Sequence, residues 1–225
     1  GSYQPSTGQT SCDDADAGHY VDTTGSASQT ACTAGTYQGS TGQTSCDDAD
    51  AGHYVSTAGQ ISQTACAAGT YQPSTGQASC NDAGVGFYVD ATASTSQTAC
   101  AAGTYQPSTG QTSCDDADAG HYVGSTAGTS QSACAAGTYQ PDTGQTSCDT
   151  ADAGHYVDST ASTSQTACSA GTYQGSPGQT SCDDADAGHY VSTAGQISQT
   201  ACAAGTYQPS TGQTSCDDAD AGHYV

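Results

Sequence analysis

The stretch "GTYQGSTGQTSCDDADAGHYVSTAGQISQTAC", residues 35–66, holds both halves of the unit from which the whole chain is assembled. Tyr37 and Tyr54 lie 17 residues apart, and each is preceded two positions earlier by a glycine, Gly35 or Gly52. Working outward, tyrosine recurs at position 3 and at every seventeenth residue to 224, which accounts for all 14 tyrosines of the 225-residue chain. The cysteines keep a slower rhythm. Cys12, Cys46, Cys80, Cys114, Cys148, Cys182 and Cys216 fall nine residues after one set of tyrosines, and Cys32, Cys66, Cys100, Cys134, Cys168 and Cys202 fall twelve after the alternate set. The full repeat is therefore 34 residues in two unlike halves. Residues 1–225 then read as tandem repeats, about six and a half copies, truncated within a repeat at both ends.

Composition removes the usual means of folding. There is no Leu, Met or Trp, one Phe (Phe87) and two Ile (Ile61 and Ile197), so a conventional apolar core is out of reach. Ser, Thr, Gly, Ala, Gln and Asp dominate, which would ordinarily leave the chain disordered. Against that stand 13 cysteines with no C-x-x-C pair of the zinc type, which point to disulfides and an oxidising, extracellular setting at a cell surface or in a flagellar or fibril appendage. Lys and Arg are absent and all 22 acidic residues are Asp, for a formal charge of −22. Such a chain repels nucleic acid and anionic membranes and can form no Lys or Arg salt bridge. No apolar stretch suggests membrane insertion in this segment.

No window shows apolar residues at helical spacing, so essentially no helix is expected. In "GTYQPSTGQASC" (69–80), Pro73 suits a tight turn and Gly76 the left-handed position that closes it, with Thr70–Tyr71 and Ala78–Ser79 as arms. The fold class expected is small disulfide-rich β/coil repeats, a linear array of short hairpins forming an elongated rod. One repeat alone cannot offset its own chain entropy, so neighbouring repeats must stack, with Tyr54 and Val55 against the next unit. Spacing by itself leaves two disulfide pairings open, closing over 14 or over 20 residues.

The half-units "AGTYQPSTGQTSC" and "AGHYVSTAGQISQTAC" resemble the ephrin-receptor-like cysteine-rich repeats, found in tandem in large extracellular proteins, whose units run roughly C-x-x-G-x-Y-(x)-G-(x)-C-x-x-C. In that family both cysteine positions are usually filled, and the second of one unit pairs with the first of the next. Here Ala49 and Gln63 stand where one such pair would be. The resemblance implies bridges Cys32–Cys46, Cys66–Cys80, Cys100–Cys114, Cys134–Cys148, Cys168–Cys182 and Cys202–Cys216, with Cys12 paired to a cysteine upstream.

Several motifs carry candidate chemistry. "CDDADAGHY" has D-x-D-x-G spacing, which sets alternate carboxylates toward one cation. The candidate calcium ligands are Asp14, Asp16, Asp48, Asp50, Asp116, Asp118, Asp184, Asp186, Asp218 and Asp220. No distal Glu completes the set; the third repeat reads "CNDAGVGFY" (80–88), and the fifth keeps only Asp149 and Asp152, so a solvated acidic turn is the favoured reading. His19, His53, His121, His155, His189 and His223 share one position with Phe87, which favours a packing role over metal ligation. Ser, His and Asp are spread evenly through every repeat, with no special position for an activated nucleophile, so no enzyme is expected. Ser74, Thr75, Ser108, Thr109, Ser210 and Thr211 are candidate O-glycosylation sites in Ser/Thr-rich turns, whereas Asn81 lies outside any N-glycosylation sequon.

The reading that unites these features is a non-enzymatic structural protein that forms or coats an extracellular filament or surface fibril, self-associating and carrying covalent glycans, with no cofactor unless calcium. The alternatives are a receptor or adhesin stalk binding a protein or carbohydrate, with "NDAGVGF" (81–87) as the departure from consensus, and an ice-binding solenoid using ranks of Thr and Ala.

Overall fold

A computed structural model describes residues 1–222, so His223 lies outside the described residues. Those residues form 26 two-residue strands, paired as 13 antiparallel hairpins, with no helix among them. The first strand of each hairpin ends on a Tyr. Thr36–Tyr37 pairs with Asp47–Asp48, and His53–Tyr54 pairs with Thr64–Ala65. The chain divides into two compact units, one of Gly1–Cys100 with Gln106–Cys114, the other of Ala101–Tyr105 with the residues from Asp115 onward.

Within the first unit, each half-unit is tied to the two that follow it by the same backbone bonds. Gly18 N donates to Gln38 O at 2.7 Å, Val21 N to Gln43 O at 3.0 Å, and Gly42 N to Ala15 O at 2.8 Å. The second unit repeats the scheme. Gly137 N donates to Val157 O (2.8 Å), Gln140 N to Ser162 O (3.0 Å) and Ala161 N to Cys134 O (2.8 Å). Backbone pairing therefore does much of the work that side-chain burial does in an ordinary domain, where each buried N–H and C=O must find a partner.

What core exists is two narrow rows. One alternates alanine and cysteine, as Ala15, Cys32, Ala49 and Cys66, all 0 % exposed. The other alternates valine and glutamine, as Val21, Gln38, Val55 and Gln72, at 2–6 % exposed. A buried glutamine is tolerated because it is satisfied: Gln72 Nε2 donates to Ser79 O at 2.8 Å, and its Oε1 accepts from Ser74 N at 3.2 Å. That glutamine also explains a difference from the sequence reading. The second arm of the 69–80 hairpin lies at Asn81–Asp82, pairing Thr70 with Asp82 and Tyr71 with Asn81, rather than at Ala78–Ser79. Gln72 closes the loop between Ser74 and Ser79 from inside, so the ladder resumes only beyond Cys80. Gly76 adopts φ +70°, as its turn position requires.

Candidate functional site

The seven residues "ADAGHYV" occur six times, and the copy at 49–55 shows what each does. Ala49 and Val55 are buried, one in each core row, at 0 % and 2 % exposed. Asp50 O accepts from His53 N at 2.9 Å, and Gly52 between them has φ +82°, the third-position geometry of a type II turn. Gly52 meets a second demand, because a Cβ there would sit 2.2 Å from the carbonyl oxygen of Ala93, two half-units ahead. Tyr54 follows on the strand, half-buried, beside a half-buried His53 whose Nδ1 lies 3.4 Å from Ala51 O.

Asp50 does something that reading the sequence missed. Its backbone N donates to Gln63 Oε1 at 2.6 Å, and Gln63 Nε2 donates back to Asp50 Oδ2 at 2.6 Å. Gln63 thus closes with two hydrogen bonds the junction at which the sequence, by comparison with its alternate junctions, lacks a cysteine pair. The same clamp joins Gln29 to Asp16, Gln131 to Asp118, Gln165 to Asp152 and Gln199 to Asp186. In the third repeat Gly84 replaces the aspartate, and only the backbone half survives, Gly84 N to Gln97 Oε1 at 2.7 Å. The signal was present in the sequence as glutamine every 34 residues, 13 after an aspartate in all but one case.

The other junctions are covalent. Disulfides join Cys32–Cys46, Cys66–Cys80, Cys100–Cys114, Cys134–Cys148, Cys168–Cys182 and Cys202–Cys216, each over 14 residues with Cα atoms 5.7–5.8 Å apart. Cys12 is exposed and unbridged. Each bridge links the end of one hairpin to the second arm of the next, so covalent and hydrogen-bonded closures alternate along the chain.

The aspartates considered for calcium point to different partners. Asp50 Oδ2 is held by Gln63, while the Asp48 carboxylate lies over the turn of the half-unit after next, where a Cβ on Gly76 would be 3.4 Å away. Asp14 and Asp16 are divided in the same way between Gly42 and Gln29, as are Asp184 and Asp186 between Gly212 and Gln199. Asp116 lies over Gly144, and Asp118 is clamped by Gln131; Asp218, on its strand, and Asp220, beyond it, are both exposed. No group of three or more His, Cys, Asp or Glu suited to a metal occurs among the described residues.

Ser74, Thr75, Ser108, Thr109, Ser210 and Thr211 are all exposed on the hairpin loops. Their serines are fixed through the backbone, Ser74, Ser108 and Ser210 N each donating to a buried glutamine, which leaves the side chains toward solvent.

The hairpin with glycine two before tyrosine and a bridge to its neighbour coincides with a family-model match. The family described as tyrosine-protein kinase ephrin type A/B receptor-like matches residues 52–100 and 120–168. Those segments are similar to ephrin-receptor-like repeats. Each matched segment runs from the turn glycine of a "GHY" hairpin, Gly52 or Gly120, to a buried core cysteine, Cys100 or Cys168. Ephrin-receptor-like repeats are a non-catalytic, extracellular type of domain, and the six disulfides fit that setting. No helix among the described residues is long and apolar enough to cross a membrane. A search of curated proteins returns no match to the chain.

Proposed function

We propose that these extracellular repeats are a structural segment that forms or coats a filament or surface fibril and carries O-linked glycans on its hairpin loops. The observation that carries the reading is uniformity: the same three backbone bonds join each half-unit to the two that follow it within each compact unit, and the residues most often repeated are spent on that joint. Gly52, Asp50 and Val55 are construction parts, while the variable positions face solvent. A chain built so that every half-unit offers the next the same donors and acceptors is suited to extension by addition. The exposed loop hydroxyls, a net charge of −22 and the absence of Lys and Arg favour a hydrated, glycan-bearing surface.

The test is electron cryo-microscopy of the native material with a power spectrum along any fibre axis. Uniform filaments with an axial repeat commensurate with 17 or 34 residues, and extra density on Ser and Thr of the loops, are the expected result. Single chains with no lateral or end-to-end assembly would remove the filament and leave the second reading, a receptor or adhesin stalk. That reading draws on the third repeat, where Asn81, Gly84 and Phe87 depart from the consensus and half a clamp is lost.

A further inference from the structure

A second kind of surface lies beside two of the bridged junctions. Beside Tyr20 lies an open groove of about 350 Å³, walled by Asp22, Thr36, Thr44, Ser45 and the Cys32–Cys46 bridge. The matching positions 136 residues on, Tyr156, Asp158, Thr172, Thr180, Ser181 and Cys182, line another of about 520 Å³. Both volumes fall in the range of small-ligand clefts.

The chemistry of the two is the same. Each tyrosine is half-buried and sits on a paired strand, Tyr20 opposite Thr30 and Tyr156 opposite Thr166. Each carboxylate is steadied through one oxygen only: Asp22 Oδ1 accepts from Thr23 Oγ1 at 2.7 Å, and Asp158 Oδ1 from Ser159 Oγ at 3.1 Å. The second oxygen of each is left as a strong acceptor facing solvent. Thr36 and Thr172 hydroxyls turn to Thr33 O and Ser169 O at 2.9 Å, so their oxygens remain able to accept. In the hairpins at Tyr54, Tyr122 and Tyr190 the carboxylate position holds Ser56, Gly124 or Ser192, so the feature is selective rather than a by-product of the repeat.

We propose that these grooves bind a neutral, polyhydroxylated ligand, a glycan chain. The ring offers a flat face to the C–H side of a sugar, the free carboxylate oxygen and the Thr36 and Thr172 hydroxyls accept from its hydroxyls, and the hydroxyls of Thr44, Ser45, Thr180 and Ser181 can both donate and accept. Walls that mix one ring with hydroxyls and a carboxylate suit neither an apolar peptide nor, at a chain charge of −22, an anionic polymer. The inference supplies a ligand class for the stalk reading and holds equally for a filament, because each groove lies within one chain.

The experiment titrates the full chain by calorimetry with mannohexaose, cellohexaose and N-acetylchitohexaose, with polygalacturonate as the anionic comparison. Asp90 holds the matching place in sequence, so the variant is Asp22→Asn/Asp90→Asn/Asp158→Asn, with Tyr156→Phe as a second that keeps the ring. Saturable binding of at least one neutral hexasaccharide, weakened about tenfold or more in the triple variant while Tyr156→Phe and the denaturation midpoint hold, is expected. No saturable binding of any neutral probe, equal binding of polygalacturonate, or binding unchanged in the triple variant would each overturn the proposal. Assembly is read separately by microscopy, so failure of the filament reading leaves this result intact.

Discussion

Two glycines with nearly the same backbone angle ought to respond very differently to one added methyl. Gly52 has φ +82° and Gly59 φ +76°, so alanine pays a left-handed backbone penalty of about 1 kcal/mol at either position. At Gly59 nothing lies within 4 Å of the new Cβ, and the chain itself uses alanine at the matching turn positions, Ala93, Ala127 and Ala161, with φ 56–57°. At Gly52 the Cβ would fall 2.2 Å from Ala93 O and 2.8 Å from its carbonyl carbon, backbone atoms that cannot rotate away. Relief requires the Gly52 segment to withdraw, which strains its bonds Gly52 N to Gln72 O and Cys66 N to Gly52 O, both 2.8 Å. Losing two such bonds adds about 2 kcal/mol, for about 3 kcal/mol in Gly52→Ala against about 1 kcal/mol in Gly59→Ala. Because arrays of repeats open locally, native-state hydrogen exchange is the suitable assay. The amides of Gly52 and Cys66 should exchange roughly thirtyfold faster in Gly52→Ala than in Gly59→Ala, as a difference of about 2 kcal/mol dictates. Equal protection in the two variants would refute the claim that close approach, rather than turn geometry alone, demands glycine before each tyrosine.

The clamped junctions invite the reverse experiment: Ala49→Cys/Gln63→Cys should oxidise to a bridge, seen as the loss of two hydrogens by mass spectrometry, and stabilise by about 3 kcal/mol for a loop of this length. Persistent free thiols there would show that the two kinds of junction differ in geometry. Gln63→Ala removes two hydrogen bonds and Gln97→Ala one, so denaturant titration should find the first more costly, by about 0.5 to 1 kcal/mol. Ala161→Gly relieves a left-handed alanine and should raise local stability by about 1 kcal/mol in the same titration. Millimolar calcium should leave the denaturation midpoint in place, since Asp48 and Asp50 serve different neighbours; a saturable shift would show that the turn can regroup them.

Much of this was legible because repetition makes a sequence its own alignment. The 17-residue tyrosine period announced the hairpin, and the absence of any 3.6-residue periodicity excluded helix. The glycine before each tyrosine marked a special backbone, although only coordinates reveal that at positions such as Gly18, Gly35, Gly52 and Gly69 it faces a carbonyl two half-units on. What stayed hidden were roles in which a polar side chain stands in for something else. Gln38 occupies a core position that valine fills in the other half-unit, and Gln63 closes a junction that reads in sequence as merely lacking cysteine. Composition counts both as surface residues, because glutamine is seldom buried, and the partner of each lies on a segment whose register only folding fixes.

The alternation of bridged and clamped junctions sets how the chain survives cutting. A protease that nicks a loop between Cys32 and Cys46 leaves both fragments tethered through that disulfide, whereas a cut between Cys46 and Cys66 severs the polymer outright. Half of the exposed loops can therefore be breached without loss of continuity, and the other half hold the chain by a single strand. In a protease-rich exterior, wear would appear as breakage at 34-residue intervals, always within the "ADAGHYV" half of the repeat.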